Sequence, residues 1–325
     1  MNDPAPRLKE LRTAVDRYLL ELDLPAAPAT LYDPIRYVLH APGKRIRPLL
    51  TLLAGRLAGA PATNLMPLAA AIEIFHNFTL VHDDIMDHAA ERRGNPTVHT
   101  KWDENVAILS GDMMVGLAYR LIMNTETDHL RAVMQVFQES VDAVCEGQAL
   151  DKEFENRETV SLPDYIGMIE KKTGWLISSA LRVGWVAIRG NDETATELHK
   201  LAMAMGRGFQ IQDDFLDLMA DQASFGKRIG GDIVEGKRTY LLLLAAERAT
   251  GADADLIHRI MTRQVGFDSI DLVRQTFKRL RVLEDTEKAI NKCFAETADR
   301  LNHLGHLPDA ALLKFQVEQV LNRTF

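Results

Sequence analysis

The distribution of proline is the feature that most constrains the fold of this chain. Ten of the twelve prolines lie within the first hundred residues, and the other 225 of the 325 residues contain only Pro163 and Pro308. Proline breaks a helix interior because it has no backbone N–H and its ring clashes with the preceding turn. The last two thirds of the chain can therefore form long, uninterrupted helices.

Apolar residues recur every three or four positions in this proline-poor region, which is the spacing of one helix face. Val133, Val136, Phe137, Val141 and Val144 form one such series. Alternating apolar and polar runs with turn dipeptides, which are typical of strands, are scarce. No Ser/Gly-rich linker, low-complexity tract or short repeat divides the sequence. We therefore predict an all-α protein with one domain over residues 1–325.

Composition limits the possible partners and the compartment. The formal net charge is −8 and the pI is about 5.7, which argues against a nucleic-acid partner because such proteins carry basic patches. The two cysteines, Cys145 and Cys293, lie in apolar helical patterns, so we predict core thiols and a reducing compartment. The N-terminus has no signal-peptide pattern, and the longest apolar run, residues 240–246, is too short to span a membrane. We expect a soluble, cytoplasmic protein without a transmembrane segment.

Two clusters of carboxylates repeat one pattern. VHDDIMD at 81–87 and IQDDFLD at 211–217 each place aspartates at positions i, i+1 and i+4 of an apolar helical run. One such cluster alone is more often a solvated helix face than a metal site. Two clusters among apolar residues favour metal binding, because buried carboxylates must be paired or metal-bound and Mg²⁺ binds through carboxylates and substrate phosphates.

Basic residues lie in several short segments between apolar helices. GKRIRP at 43–48 carries Lys44 and Arg47, Arg92 and Arg93 follow the first acidic cluster, and Lys172 begins a KTG sequence. The segment at 226–237 adds further lysines. Arginine suits bidentate phosphate contacts and lysine supplies a mobile charge. This alternation of acids and bases is what a chain needs if it binds two diphosphates, one bridged by metal and one metal-free.

At this point the sequence resembles the trans-type isoprenyl diphosphate synthases, also called polyprenyl synthetases. Six motifs of that family occur in order: GKRIRP, DDIMDHAAERRGNPTVH, GQALD at 147–151, KTG at 172–174, FQIQDDFLD at 209–217 and GKRIGGDIVEGK at 226–237. The chain departs from the pattern at Pro42, where glycine is usual, and at Tyr240-Leu241, where a Leu-Pro pair is frequent. Neither departure changes a ligating side chain.

The resemblance implies a fold, an activity and a set of site residues. The fold would be a single large helical bundle around a central cavity. The enzyme would be a Mg²⁺-dependent prenyltransferase with three Mg²⁺ ions per active site, condensing isopentenyl diphosphate with a C5 to C15 allylic diphosphate, and it would form a homodimer. Asp83, Asp87 and Asp213 would coordinate Mg²⁺, supported by Asp84, Asp214 and Asp217. The allylic diphosphate would contact Arg92, Lys172, Lys227 and Lys237; isopentenyl diphosphate would contact Lys44, Arg47, His76 and Arg93; Thr173 and Gln210 would face the cation.

Product length depends, in this family, on bulky residues just before the first acidic motif. Phe78 and Thr79 stand five and four residues before Asp83, and Phe75 stands eight before it. One aromatic beside a small threonine predicts a short to medium product, with C20 geranylgeranyl diphosphate favoured over C15 farnesyl diphosphate. The sequence does not determine the preferred allylic starter or the subunit interface.

Two other functions fit part of the sequence. A class I terpene cyclase is also an all-α Mg²⁺ enzyme, but its second metal motif is usually an Asn-Ser-Glu triad and it needs no segment such as GKRIRP. A non-catalytic subunit that modulates an active synthase is expected to lose one acidic cluster, and both clusters are present here. A helical scaffold protein without activity explains the motifs least well.

Overall fold

The computed structural model describes residues 3–220 and 229–321. Within these ranges the chain is built almost entirely of helices, which confirms the all-α prediction. The α-helices are α1 (Pro4–Leu20), α2 (Ala29–His40), α3 (Ile46–Leu57), α4 (Met66–Met86), α5 (Val98–Lys101), α6 (Glu104–Met123), α7 (Leu130–Phe154), α8 (Leu162–Ile169), α9 (Trp175–Arg189), α10 (Glu193–Met219), α11 (Gly231–Val234), α12 (Tyr240–Arg248), α13 (Ala252–Met261), α14 (Ile270–Arg279), α15 (Val282–His303) and α16 (Ala310–Leu321).

Shorter elements join some of these helices. Two 3₁₀ turns cover Ala62–Leu65 and Phe267–Ser269, and a π-helical turn covers Glu170–Gly174 between α8 and α9. The strands β1 (Glu91–Arg92) and β2 (Asn95–Pro96) pair antiparallel as a small hairpin. Its two turn residues, Arg93 and Gly94, both have positive φ, at 53° and 74°. Two positive φ values in a two-residue loop are typical of a tight hairpin turn, and glycine adopts them without strain.

Local sequence explains where α8 begins. The Ser161 side chain accepts a hydrogen bond from the Asp164 backbone N–H, and Asp164 in turn accepts one from the Ser161 N–H. This reciprocal capping box satisfies two backbone donors at the helix start. Pro163 stands in the first turn, where its missing N–H costs nothing.

The chain divides into two compact units, which we describe separately. The first unit comprises Met1–Glu139, Leu176–His199 and His303–Val317. The second comprises Ser140–Trp175, Lys200–Asn302 and Glu318–Phe325. The expectation of a single domain remains a prediction.

Helix α4 forms the centre of the first unit and packs on α3 and α6. Its residues Leu68, Ile72 and Phe75 are fully buried. The segment Ala62–Met86 and helix α6 are long and apolar enough to span a membrane, and they are 67% and 39% buried inside the protein, respectively. A core helix of a soluble protein meets the same criteria, and packing explains the composition of α4.

The second unit has two apolar clusters. One joins α12, α13 and α14 through buried side chains such as Leu242, Ile260 and Phe277. The other surrounds Tyr165 of α8 and Ile211 of α10. These clusters position the second acidic motif and the loop that follows α11.

The prediction that both cysteines are core thiols is wrong for Cys145, which is exposed, while Cys293 is partly buried. Both thiols are free. Cys145 directly follows the buried Val144 on α7. Successive residues of a helix are rotated by about 100°, so the position after a buried one can face solvent.

Candidate active site

The first acidic motif lies at the end of α4 in the first unit. Asp83 is partly buried, Asp84 is buried and Asp87, the C-cap residue, is exposed. The hairpin β1–β2 brings Arg92 back to this helix end, where its Nε and Nη2 each lie 2.7 Å from Asp84 Oδ1. Asp84 is therefore neutralised by an arginine, and the metal-ligand role of Asp83 and Asp87 stays a prediction.

The GKRIRP segment is held by its middle arginine. Arg45 has a left-handed backbone, with φ of 49°, and is only 5% exposed. Its Nε donates to Asp16 and its Nη1 donates to Glu73, both at 2.8 Å. Its Nη2 donates to the carbonyls of Leu39 and Ala41. Arg45 thus fixes the turn that presents its neighbours on either side.

One of these neighbours, Arg47, contacts His76 and so indicates which ring nitrogen of His76 carries the proton. Arg47 Nη1 lies 3.0 Å from His76 Nε2, and because arginine can only donate, Nε2 must be the unprotonated acceptor. Burial, then the charges of Arg47, Arg93, Arg92 and Arg45, hold the pKa of His76 well below its usual value. His76 is therefore neutral with its proton on Nδ1, a buried donor that finds no acceptor among residues 3–220 and 229–321.

Arg93 adds a further cation next to the same segment. Its Nη1 donates to the Pro42 carbonyl at 3.3 Å and would lie 3.2 Å from a Cβ at Gly43, so the guanidinium packs closely on this glycine. Burial lowers the pKa of Arg93, and Arg92 and Arg45 lower it further against the opposing charge of Glu73. Both Arg92 and Arg93 line a cavity of about 390 Å³ in this unit. Clustered cations in a partly desolvated recess favour an anionic ligand.

The aromatic residues expected to set product length also lie in the first unit. Phe75 is fully buried, and its ring centre lies 5.4 Å from Phe78 and 5.2 Å from Phe137 of α7. Phe137 packs edge to face on Tyr119 of α6, with ring centres 5.0 Å apart. Thr79 donates its hydroxyl to the His76 carbonyl on its own helix. Phe78 is the partly buried outer member of this aromatic row.

The second acidic motif lies on α10 in the second unit, and Asp214 is the most buried of its three aspartates. Asp214 is 5% exposed and accepts from Tyr165 Oη at 2.5 Å, Gln210 Nε2 at 3.1 Å and Tyr240 N at 3.2 Å. Burial and then the Asp232 charge raise the pKa of Asp214 to about 7, against Lys237 and these hydrogen bonds. Burial also raises the pKa of Tyr165 far above 10, so the phenol keeps its proton.

Asp217 lies next to a further carboxylate from the loop after the motif. Its Oδ2 accepts from the Asp232 N–H at 3.1 Å, and Lys237 Nζ lies 3.6 Å from Asp232 Oδ1. Burial and then the negative charge of Asp232 raise the pKa of Asp217 to about 7. Adjacent carboxylates that repel each other in this way fit a site for a hard cation with oxygen ligands.

The KTG sequence is part of the π-helical turn, and two glycines of neighbouring helices lie in close contact with the backbone of this turn. A Cβ on Gly147 of α7 would lie 2.4 Å from the Lys172 backbone N, and one on Gly206 of α10 would lie 2.6 Å from Gly174 Cα. Lys172 donates to Asp151 at 2.6 Å. Burial raises the pKa of Asp151, but Lys172, Lys237 and Lys152 outweigh it, and the pKa lies below its usual value. Thr173 Oγ1 lies 3.1 Å from Gln210 Oε1.

The predicted site residues thus form two groups, one in each unit. Lys227 lies outside the described residues. Across the described ranges, no three His, Cys, Asp or Glu side chains form a ready metal site. The sequence reasoning did not assign Asp151, Tyr165, Asp232 or the Arg45 partners Asp16 and Glu73. Asp151 could have been found, because it ends the GQALD motif, and Asp232 lies in the last motif.

Comparisons with known proteins show which family the chain resembles. Residues 28–280 match the model of the family described as polyprenyl synthetase. The chain is 33% identical to a geranylgeranyl diphosphate synthase of Methanosarcina mazei over 320 residues, covering 98% of this chain and 97% of the relative. It is 36% identical to a geranylfarnesyl diphosphate synthase of Natronomonas pharaonis over 294 residues, covering 80% and 86%. A crystal structure of a geranylgeranyl pyrophosphate synthase superposes with a TM-score of 0.91 at 38% identity, covering 100% of both chains.

Proposed function

The chain belongs to the polyprenyl synthetase family, and from that premise we propose that it condenses isopentenyl diphosphate with an allylic diphosphate of C5 to C15. The product is a trans-polyprenyl diphosphate, and we propose C20 geranylgeranyl diphosphate. The observation that carries this proposal is the neutral His76 beside Arg47 and Arg93. A buried Nδ1–H and neighbouring guanidinium groups suit a metal-free diphosphate, which a synthase needs and a terpene cyclase does not.

Each group of side chains has a role in the reaction. Lys44, Arg47, His76 and Arg93 hold isopentenyl diphosphate, and Arg92, Lys172, Lys227 and Lys237 hold the allylic diphosphate. Asp83, Asp87 and Asp213 would hold Mg²⁺, with three ions per active site, and Asp84, Asp214 and Asp217 would support them. The repelling carboxylates Asp217 and Asp232 favour such a cation. When bound, Mg²⁺ stabilises the negative charge that develops on the leaving diphosphate.

The bond changes follow from this binding. The allylic C–O bond breaks, its electron pair stays with the diphosphate, and an allylic cation forms. The oxygens of Thr173 and Gln210 stabilise that cation. The double bond of isopentenyl diphosphate then attacks it, and loss of a proton to the released diphosphate forms the new double bond. Water must be excluded during these steps because it would quench the cation.

We further propose a homodimer in the cytoplasm. Helix α6 supports the dimer because Ile108, Leu109 and Met123 are exposed large apolar side chains on one long helix. Exposed apolar surface of this kind marks an interaction site in many soluble proteins. The free thiols of Cys145 and Cys293 fit a reducing compartment.

Product analysis tests the function directly. Purified protein with Mg²⁺ and labelled isopentenyl diphosphate is incubated with C5, C10 or C15 allylic diphosphate, and products are sized by mass spectrometry. We expect C20 from each starter. Asp83→Asn should lower turnover by about 100-fold or more, while Asp112→Asn, at an exposed position on α6, should not. Cyclic hydrocarbon products, or no consumption of isopentenyl diphosphate, would contradict the proposal.

A further inference from the structure

A chain of hydrogen bonds runs through the second unit from α8 to the π-helical turn. Tyr165 Oη lies 2.5 Å from Asp214 Oδ2, and Gln210 Nε2 lies 3.1 Å from Asp214 Oδ1. At its other end, the Gln210 amide meets the Thr173 hydroxyl, with Oε1 and Oγ1 3.1 Å apart. Four side chains from α8, the π-helical turn and α10 are thereby joined in one network.

The chemistry of these groups gives the network a fixed direction. An ionised carboxylate can only accept, so with Asp214 ionised Gln210 turns its NH₂ toward Asp214 and its carbonyl oxygen toward Thr173, as the two contacts show. That oxygen can also only accept, so the Thr173 hydroxyl must donate to it. The Tyr165 hydroxyl donates to Asp214 from the other side. Every proton in the network therefore points toward Asp214.

The end of the network at Thr173 is held rigidly. Thr173 is 7% exposed and lies in the π-helical turn that Gly147 and Gly206 approach at backbone contact. Because its proton is used by Gln210, its remaining lone pairs are the only part of the hydroxyl that a ligand can meet. A fixed oxygen dipole stabilises positive charge without reorganisation during the reaction.

We propose that Tyr165 and Asp214 are positioning residues that orient the Gln210 and Thr173 oxygen dipoles toward the developing allylic cation. This inference rests on the proposed function and deepens it. Asp214 acts as the common acceptor that sets the direction of the Gln210 amide, and Tyr165 keeps the second carboxylate oxygen in place. The Tyr240 N–H, 3.2 Å from Oδ2, completes the same anchor.

A purely structural role for Tyr165 is the competing explanation, since its ring lies in the apolar cluster with Ile211 and Met168. Tyr165→Phe distinguishes this packing role from the proposed positioning role, because the substitution keeps the ring and removes only the hydroxyl. Tyr240→Phe is the matched control. Its ring lies 6.1 Å from that of Tyr165, and the substitution keeps the backbone N–H that donates to Asp214.

The test compares a cationic and a neutral inhibitor at pH 8. An ammonium analogue of the allylic chain, with inorganic diphosphate, resembles the cation, while an allylic thiolodiphosphate resembles the ground state. For Tyr165→Phe we expect kcat to fall about 10- to 100-fold with KM for both substrates within twofold. The ammonium analogue should bind about tenfold more weakly, and the thiolodiphosphate should bind as to wild type.

A second variant shows whether the effect passes through Thr173. In a Thr173→Val background, Tyr165→Phe should weaken binding of the ammonium analogue by less than twofold, because the oriented dipole is already gone. Unchanged kcat in Tyr165→Phe, equal weakening of both inhibitors, or an equal loss in Tyr240→Phe would overturn the proposal. Wild-type turnover tests the proposed function separately. Absence of turnover in the wild type would contradict the proposed reaction, whereas the results with the variants bear only on the positioning roles.

Discussion

Arg45 and Arg281 share a left-handed backbone, with φ of 49° and 58°, but differ in their surroundings. Left-handed residues other than glycine cost about 1–2 kcal/mol, so each arginine needs a reason to persist. Arg45 is buried, and four acceptors surround its guanidinium. The Arg281 side chain is 67% exposed and pairs with Glu284 at the surface. Of these two arginines, only Arg45 lies within a predicted binding segment, GKRIRP at 43–48.

Arg45→Ala should therefore destabilise the protein strongly. Glu73 is itself buried and would be left without its partner, which costs about 3–5 kcal/mol for a buried pair. Urea unfolding measures this change, and Arg281→Ala is the control because it removes the same side chain from the same backbone conformation. Similar midpoints for the two variants would refute the structural role of Arg45.

The raised pKa of Asp217 gives stability a pH dependence. This pKa is about 7, whereas the pKa of an unfolded aspartate is about 3.9. Between these values the folded protein holds a proton that the unfolded chain has lost, so the contribution to stability falls as pH rises through 7. Burial is the first cause of this raised pKa and the negative charge of Asp232 is the second. A dication would relieve the repulsion between the two ionised carboxylates.

Added Mg²⁺ should consequently raise Tm more at pH 8 than at pH 6. At pH 6 the metal must displace protons, and at pH 8 it meets ionised carboxylates. We expect a difference of at least about 2 °C, or roughly 1 kcal/mol, by differential scanning fluorimetry. Asp217→Asn should reduce the difference, while Asp271→Asn, whose side chain is 86% exposed, should keep it. An equal Mg²⁺ effect at both pH values contradicts this assignment.

At the scale of elements, the π-helical turn depends on glycines in two other helices. Gly147→Ala would place a Cβ 2.4 Å from the Lys172 backbone N, so the turn must move. We expect a loss of about 1–3 kcal/mol, as for other overpacked positions, and a lower kcat. Chemical denaturation and steady-state kinetics measure the two effects.

Gly167→Ala is the matched control for this prediction. Gly167 lies on α8, just before the turn, and a Cβ there would meet nothing within 4 Å. Replacing an unhindered helical glycine by alanine usually stabilises a helix, by up to about 1 kcal/mol. If both alanine variants behave alike, close backbone approach is not what holds the turn.

The aromatic row shared by α4, α6 and α7 gives a prediction for product length. Phe78 is its partly buried outer member, and Phe75 behind it is anchored by Phe137. Phe78→Ala should shift products to lengths beyond that of wild type, because it opens space toward Phe75. Mass spectrometry of the products measures the shift, and Phe294→Ala, in the second unit, should leave the distribution unchanged. An unaltered distribution in Phe78→Ala removes that residue from the role.

Sequence reasoning predicted elements whose cause is local and missed those whose cause is distant. Helical spacing and proline placement identified the all-α fold, and the start of α8 is likewise explained by local residues, Ser161 and Asp164. The partners of Arg45 are 28 and 29 residues away, and the Tyr165 partner Asp214 is 49 residues away. No local pattern encodes such pairs, because they arise only when separate helices pack. The prediction that Cys145 is a core thiol was wrong for a related reason. Which residues of a helix are buried at the edge of its apolar face depends on the helices that pack against it.

At the scale of the whole molecule, the exposed apolar side chains of α6 bear on the proposed oligomeric state. An 18-residue window of helix α6 is apolar enough to span a membrane, yet only 39% of that window is buried within the chain. Leu109 is 59% exposed and Met123 is 54% exposed on this helix. An apolar helix face in water is unfavourable, by roughly 25 cal/mol for each Å² of apolar surface. A second copy of the chain would cover this face in the proposed homodimer.

Leu109→Glu should therefore convert the dimer to a monomer, because the interface would have to bury an unpaired carboxylate. Light scattering after size exclusion gives the mass, and the 36.4 kDa chain makes the two states easy to separate. Leu272→Glu on α14 is the matched control, since that leucine is 51% exposed and lies on another helix. The wild type and this control should both elute as dimers, and wild-type Tm should rise with protein concentration. A dimeric Leu109→Glu variant would place the interface elsewhere, whereas a monomeric wild type would show that α6 stays exposed to solvent.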